Sequence, residues 1–408
     1  MLNHCRALDL TDASGFLGGQ MLAGLGVDVI KIEKPGGDLA RNMGPFWADT
    51  PHPEKSLYWW AYNSGKRGIT LNIASADGGE IFKKLVRTAD FVLESFPPGY
   101  LDSLELGYDG LCQVKPDIIL TSITPFGESG PYRDFQTADI VTMGMSGILY
   151  LTGDIDRPPL HMSLPQAALH AGADAAVGTL LAYYHREVTG EGQHVDISLQ
   201  QSTAWFLANA IPLWELSGMV PKRAGAFRES LHSTQRQVWR CQDGYVFFNI
   251  IGGHTGAKTL HELVNWMEGE GCPDDFLKAM DWETLDMFTV NQETVDRICR
   301  PIEAFFATRP KLAISREAAA RHISICPLSS MADLLGNDQL HYRDFWGKIA
   351  LPELGAEITY PKRFVKSSEG DFDAGFRAPL VGEHNLEVYS EIGLSNQDLV
   401  NLKQADVI

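Results

Sequence analysis

The stretch RALDLTDASGFLGGQMLAGLGVDVIKIE, residues 6–33, decides the fold. Arg6 to Leu10 reads as a short apolar strand and Gly18 to Leu25 as a helix. Val27 to Glu33 is rich in β-branched residues, which favour an extended chain. Strand, helix and strand in immediate succession predict parallel strands joined by a crossover. The unit repeats downstream. Gly79 to Thr88 reads as a helix, Phe91 to Glu94 as a strand, Leu111 to Val114 as the end of a short helix, and Asp117 to Ile123 as a buried strand. Ala167 to Glu187 is one long helix by its alanine content and apolar spacing, and TGEGQHVDISL (189–199) follows as a glycine turn and a strand. The alternation predicts an α/β fold: a doubly wound, Rossmann-like parallel sheet with helices on both faces.

The character changes beyond this point. DGYVFFNI (243–250) reads as a strand, and charged, helix-forming sequence follows it. A second, smaller α+β domain is expected over residues 222–325, with 1–205 and 330–408 forming the large domain. At 408 residues the chain exceeds the size at which one core usually stops growing. Its 44% hydrophobic and 21% charged residues are ordinary for a globular protein. The net charge of −18 argues against a nucleic-acid partner, yet a few local cations could still hold an anionic small ligand. No apolar run approaches the roughly 18 residues that span a bilayer, so no membrane partner is expected. The N-terminus lacks a signal-peptide core. Cys5, Cys112, Cys241, Cys272, Cys299 and Cys326 are scattered, without a CxxC pair. Neither a metal site nor a redox motif is expected, and reduced thiols suit a cytoplasmic protein.

Six stretches then matter together: VIKIEKPGGDLAR (29–41), NSGKRGITLNI (63–73), ESFPPGYLDSLELGYDGL (94–111), LTSITPFGESGPY (120–132), REVTGEGQHVDISL (186–199) and APLVGEHNLEVYSEIGLS (378–395). In this order and spacing the chain resembles the family III CoA-transferases, a group that also contains α-methylacyl-CoA racemase. The resemblance implies two ring-like chains interlocked as a dimer, with sites at the boundary between large and small domains. It also implies coenzyme A or an acyl-CoA as substrate, and no covalently bound cofactor.

In that family an Asp carboxylate attacks the acyl-CoA carbonyl, forming a mixed anhydride that the CoA thiolate converts to an aspartyl thioester. The Asp opens the long helix, at a set distance before two glycines, which here are Gly172 and Gly178. Counting back places it at Ala168; a shift by one gives Ala167, and by two Gln166. None is an acid, so no catalytic residue is assigned. Asp174 lies six residues further on, pointing about 120° away and ~9 Å along the axis, as a helix-surface acid would. Asp154 and Asp156 read as solvated loop acids. The racemase branch places a His before an Asp-Ile dipeptide, but Ala138 precedes Asp139-Ile140 here. His161 and His170 read as hydrogen-bonded structural residues.

The residues that face CoA in the family have drifted as well. The first loop, DLTDASGF (9–16), is one residue short and carries Asp12. Pro97 and Ser103 stand where the family has arginines, which removes bidentate phosphate contacts. Lys34, Arg41 and Phe96 remain as candidate CoA contacts. Gly252 and Gly253, in IIGGHTG (250–256), are candidates for a lid loop, although a hairpin or bulge explains them equally.

Framework motifs persist while the nucleophile, the racemase pair and the CoA-facing cations are lost. The expectation is a non-catalytic subunit of a heteromeric CoA-transferase, paired with a paralogue that carries the Asp. It would move CoA between succinyl-CoA and an organic acid, with benzylsuccinate the acid suggested by analogy. Two alternatives stay open: a self-sufficient CoA-transferase or isomerase using another carboxylate such as Asp174, and a CoA-binding regulatory protein without turnover.

Overall fold

A computed structural model of the chain describes residues 2–230, 232–370 and 377–408. Two compact units form: Met1–Ile148, His161–Ile211 and Asp338–Ile408 make the first, and Leu149–Leu160 with Pro212–Asn337 make the second.

The first unit is built on six strands: β1 (Arg6–Asp9), β2 (Asp28–Glu33), β3 (Arg67–Thr70), β4 (Phe91–Glu94), β5 (Ile119–Thr124) and β6 (His194–Ser198). They pair in parallel in the order β3-β2-β1-β4-β5-β6. Leu8 of β1 sits opposite Ile30 on one side and Val92 on the other. The inner strands are buried on both faces, which explains their nearly unbroken apolar runs. One face packs Leu8, Ile30, Val92 and Leu120 against Phe82 and Leu85 of the helix Ala76–Val86 and against Tyr389 and Ile408 near the C-terminus. The other packs Ala7, Val29, Phe91 and Ile119 against Leu22 and against Ala176 and Ala182 of the long helix, Gln166–Thr189.

Glycines let the helices approach each other. A Cβ added at Gly172 would lie 2.9 Å from the Leu17 Cβ, and one at Gly18 would lie 3.1 Å from the Gly172 carbonyl. The long helix therefore crosses the first helix, Phe16–Gly24, with the two backbones nearly touching. A Cβ at Gly178 would come within 2.9 Å of Val195 on β6.

Among the described residues the C-terminal segment adds no strand to the six-stranded sheet. Its helices Asn385–Glu391 and Asn396–Gln404 lie beside β3 and the apolar face, where Asn385 bonds the backbone N–H and hydroxyl of Thr70 at 2.9 Å each. Strands Trp346–Leu351 and Ala356–Pro361 form a separate antiparallel hairpin.

The second unit holds an antiparallel sheet of Ile325–Pro327, Gly244–Phe248 and Val238–Cys241, in that order. Trp239 and Phe248 from this sheet pack with Trp266, Trp282, Phe305 and Phe306. The sequence reading placed residues 149–160 in the large domain; the structure places them here. The Arg223 guanidinium holds that segment, donating to the Asp154 carbonyl at 3.1 Å and to the Arg157 carbonyl at 2.7 and 2.9 Å.

Candidate active site

Ala168 lies in the first turn of the long helix, whose N-cap, Pro165, offers no side-chain hydrogen bond. Ala167 is buried, and the Gln166 amide donates to the Leu164 carbonyl at 3.3 Å. A carboxylate nevertheless sits at this helix start. It comes from Asp139, the first residue of the helix Asp139–Met145. Asp139 Oδ1 accepts the Ala167 N–H at 3.0 Å, and Oδ2 bonds His161 Nε2 at 2.8 Å. The arrangement gives the helix N-terminus the negative charge its dipole favours. His161 is thus a hydrogen-bonded partner, as its sequence context suggested, but of an acid 22 residues away. His170 packs its ring 4.2 Å from that of Phe206, and burial pushes its pKa down. Asp174 is exposed further along the helix, and Asp154 and Asp156 are exposed in their turn.

The sheet order reverses between β1 and β4, and in open parallel sheets ligands bind beyond the carboxyl ends of the strands at that point. The loops that leave β1 and β4 are joined there. The Asp12 N–H donates to Ser95 Oγ at 2.8 Å, and Ser95 Oγ donates back to Asp12 Oδ1 at 2.9 Å. The same Asp12 oxygen accepts from the Ser14 N–H at 2.9 Å and from the Ser14 hydroxyl at 2.5 Å. Beneath the loop lies a buried ionic cluster. Asp9 Oδ2 pairs with Lys66 Nζ at 2.8 Å, while Lys31 approaches Oδ1 at 3.8 Å and also donates to the Thr11 carbonyl. Burial alone would raise the Asp9 pKa, but the two ammonium groups hold it below the usual carboxylate value. Glu94, at the end of β4, has no such partner among the described residues. Burial pushes its carboxyl up to about 7, although Ser122 and the Phe96 N–H bond to it.

The structure overturns the assignment of Arg41 to CoA. Its side chain is 1% exposed. It donates to Glu33 at 2.6 and 2.8 Å, to Glu54 at 2.8 Å and to the Pro379 carbonyl at 2.9 Å, with Trp59 stacked 3.9 Å away. A guanidinium so fully paired has no free fork for a phosphate. Lys34 is exposed on the turn after β2. Phe96 is half-buried, its ring 4.8 Å from that of Tyr100. Pro97 is exposed, and Ser103 bonds the Tyr100 carbonyl at 2.7 Å.

Gly252 and Gly253 sit neither in a hairpin nor in a bulge. Gly252 caps, and Gly253 begins, the 17-residue helix Gly253–Gly269. The Gly253 N–H donates to the Trp282 carbonyl at 2.9 Å, and a Cβ at Gly252 would stand 2.1 Å from the Leu285 carbonyl. With Leu285, Met287 and Phe288 they line a hollow of about 290 Å³. A hollow of about 740 Å³ lies in the first unit, lined by aromatic and aliphatic residues such as Trp47, Trp60, Ile349 and Tyr360. Its lining includes neither Ala168 nor Asp139.

Two features escaped the sequence reading: the Asp139–His161 pair and the Asp12–Ser95 junction. Neither partner of either pair carries a motif that would have pointed to the other.

Comparison with known proteins agrees with this architecture. The sequence model of CoA-transferase family III matches residues 2–385. The BbsE subunit of succinyl-CoA:(R)-benzylsuccinate CoA-transferase from Thauera aromatica is 34% identical over 97% of this chain and 95% of its own length. Succinate–glutarate CoA-transferase from Agrobacterium fabrum is 37% identical over 96% of this chain and 95% of its own. A crystal structure of a CaiB/BaiF family protein from Brucella suis superposes with a TM-score of 0.79 at 29% identity, covering 96% of this chain and 99% of that one. The chain belongs to CoA-transferase family III, whose chemistry uses CoA thioesters as substrates.

Proposed function

We propose that this chain is the non-catalytic subunit of a heteromeric family III CoA-transferase, one that moves CoA between succinyl-CoA and an organic acid such as benzylsuccinate. The observation that carries the reading is Ala168. At the start of the long helix, where the resemblance puts the nucleophile, there is a methyl group. A methyl can neither attack a thioester carbonyl nor carry the acyl group. The likeness to a relative named as a subunit supports the heteromer and the choice of acid. The surface of the long helix supports the heteromer. Val177, Leu181, Tyr184 and Val188 recur at helical spacing and are 54%, 65%, 72% and 71% exposed. An apolar stripe of this kind marks a contact surface, and a paralogous chain is the partner we assign to it. Lys34 and Phe96 are what is left of this chain's CoA contacts, and Gly252 and Gly253 are the second unit's candidates for touching an acyl-CoA held by the complex.

A second reading has one observation behind it. The Asp139 carboxylate, paired with His161, could act in place of the missing Asp, in a chain that needs no partner. Both its oxygens already hold hydrogen bonds, which weakens it as a nucleophile.

One experiment separates the two. The chain is co-expressed with a paralogue bearing Asp at the position of Ala168, and the acyl-enzyme formed with succinyl-CoA is trapped by hydroxylamine and mapped by mass spectrometry. Label confined to the partner is expected, and Asp174→Asn should leave activity within a few-fold. Label on Asp139 or Asp174, or a loss on the order of 10³ in either variant, Asp139→Asn or Asp174→Asn, places the chemistry on this chain.

A further inference from the structure

We propose that Asp12 and Ser95 form a clasp that closes the nucleotide end of the β1–β4 crevice, so that this chain excludes the anionic, phosphate-bearing part of CoA. The inference rests on reading the chain as a CoA-transferase subunit, and it states what became of that subunit's own CoA crevice.

Three observations carry it. The first is position. Asp12 stands three residues beyond the end of β1 and Ser95 one residue beyond β4, the strands between which the sheet order reverses. The ladder between these strands continues into the loops through the Leu10 N–H, which donates to the Leu93 carbonyl at 2.8 Å. The two loops therefore leave the sheet side by side, and a ligand in the crevice must lie between them.

The second is bonding. Two hydrogen bonds cross from Asp12 to Ser95, and two more from Ser14 pin the same carboxylate oxygen. That oxygen accepts three donors, so its position is set from both loops. Ser14 and Gly15 lead directly into the helix Phe16–Gly24, whose first N–H groups would otherwise favour an anion. The chain places its own carboxylate over this end instead.

The third is charge. Asp12 places an exposed carboxylate on the loop that leaves β1. Three nearby cations are turned inward, Lys31 to Asp9 and the Thr11 carbonyl, Lys66 to Asp9, and Arg41 to Glu33 and Glu54, while Lys34 stays exposed on the turn after β2. A pyrophosphate entering here would meet a fixed carboxylate that has no paired cation among the described residues, and like charges repel.

The test is calorimetric titration of the full-length chain with CoA and, separately, with pantetheine, which lacks the nucleotide and its phosphates. Asp12→Ala removes both clasp and charge. Asp12→Asn keeps an acceptor oxygen for Ser14 and Ser95 and removes only the charge. Both variants are expected to bind CoA at least about tenfold more tightly than the wild type, while pantetheine changes by less than about twofold. Ser95→Ala, which frees one loop but keeps the charge, is expected to gain only about threefold in CoA affinity. Thermal melts confirm that each variant is folded; should Asp12→Ala not fold, Asp12→Asn carries the same expectation. The proposal is overturned if the wild type binds CoA as tightly as both Asp12 variants, or if pantetheine gains as much as CoA does. Acyl label on this chain would instead sink the subunit reading and leave the clasp result as it stands.

Discussion

Glu94 and Arg41 are two charged side chains taken out of water with opposite outcomes. Arg41 is buried among the acids Glu33 and Glu54 and stays a paired cation. Glu94, 4% exposed, has hydrogen bonds but no cation, and burial lifts its carboxyl from 4.5 to about 7. The folded chain therefore prefers Glu94 protonated. The stability drawn from that preference is complete below 4.5, falls as the pH rises, and is gone above about 7. Glu94→Gln removes the titration while its amide oxygen still accepts the Phe96 N–H. Between those pH values the wild type should lose up to ~3 kcal/mol relative to the variant, read from urea unfolding across a pH series. Parallel curves for the two proteins would mean that Glu94 is ionised throughout. Arg41 also shows why single residues mislead in sequence. Its motif pointed outward to a phosphate, whereas its true partners stand 8 residues before it and 13 after it, brought together only by the turns between.

Among elements, the contact between the long helix and the first helix shows what the marker glycines do. Gly172 and Gly178 were legible as a family spacing, but not as the reason for it. Each lacks a Cβ where the helix meets a neighbour, at Leu17 and Gly18 in one case and at Val195 in the other. Gly172→Val should force the crossing apart and cost about 1–3 kcal/mol from overpacking, offset in part by the better helix propensity of the new residue. Thermal or urea denaturation measures this, and a stability equal to wild type would show that the helices yield without cost. Element types read well wherever periodicity was long. β3 went unassigned because the four residues RGIT have no alternation to display, and only pairing with β2 makes them a strand. The glycines at 252 and 253 drew a loop reading for the same kind of reason: glycine in sequence signals freedom, while here it permits a helix start to pack against Leu285.

For the molecule as a whole, the exposed stripe Val177, Leu181, Tyr184 and Val188 is the feature a partner would explain. Replacing Leu181 and Tyr184 by Glu together should leave the chain folded, since both are already exposed, yet abolish co-purification with the paralogue. An ionised carboxylate buried in an apolar contact is costly. Size-exclusion chromatography with light scattering reads the result, and an intact heteromer would show that the partner binds elsewhere. By themselves, the amino acids determined the parallel α/β sheet, the smaller second unit and the absence of an acid at Ala168. Local periodicity lies in neighbouring residues, and a missing carboxyl is missing in any fold. The tertiary structure alone decided that residues 149–160 join the second unit, that Asp139 and His161 meet at the helix start, and that Asp12 meets Ser95 across 83 residues. Those contacts depend on how the sheet order brings distant loops together, and no short stretch of sequence carries that information.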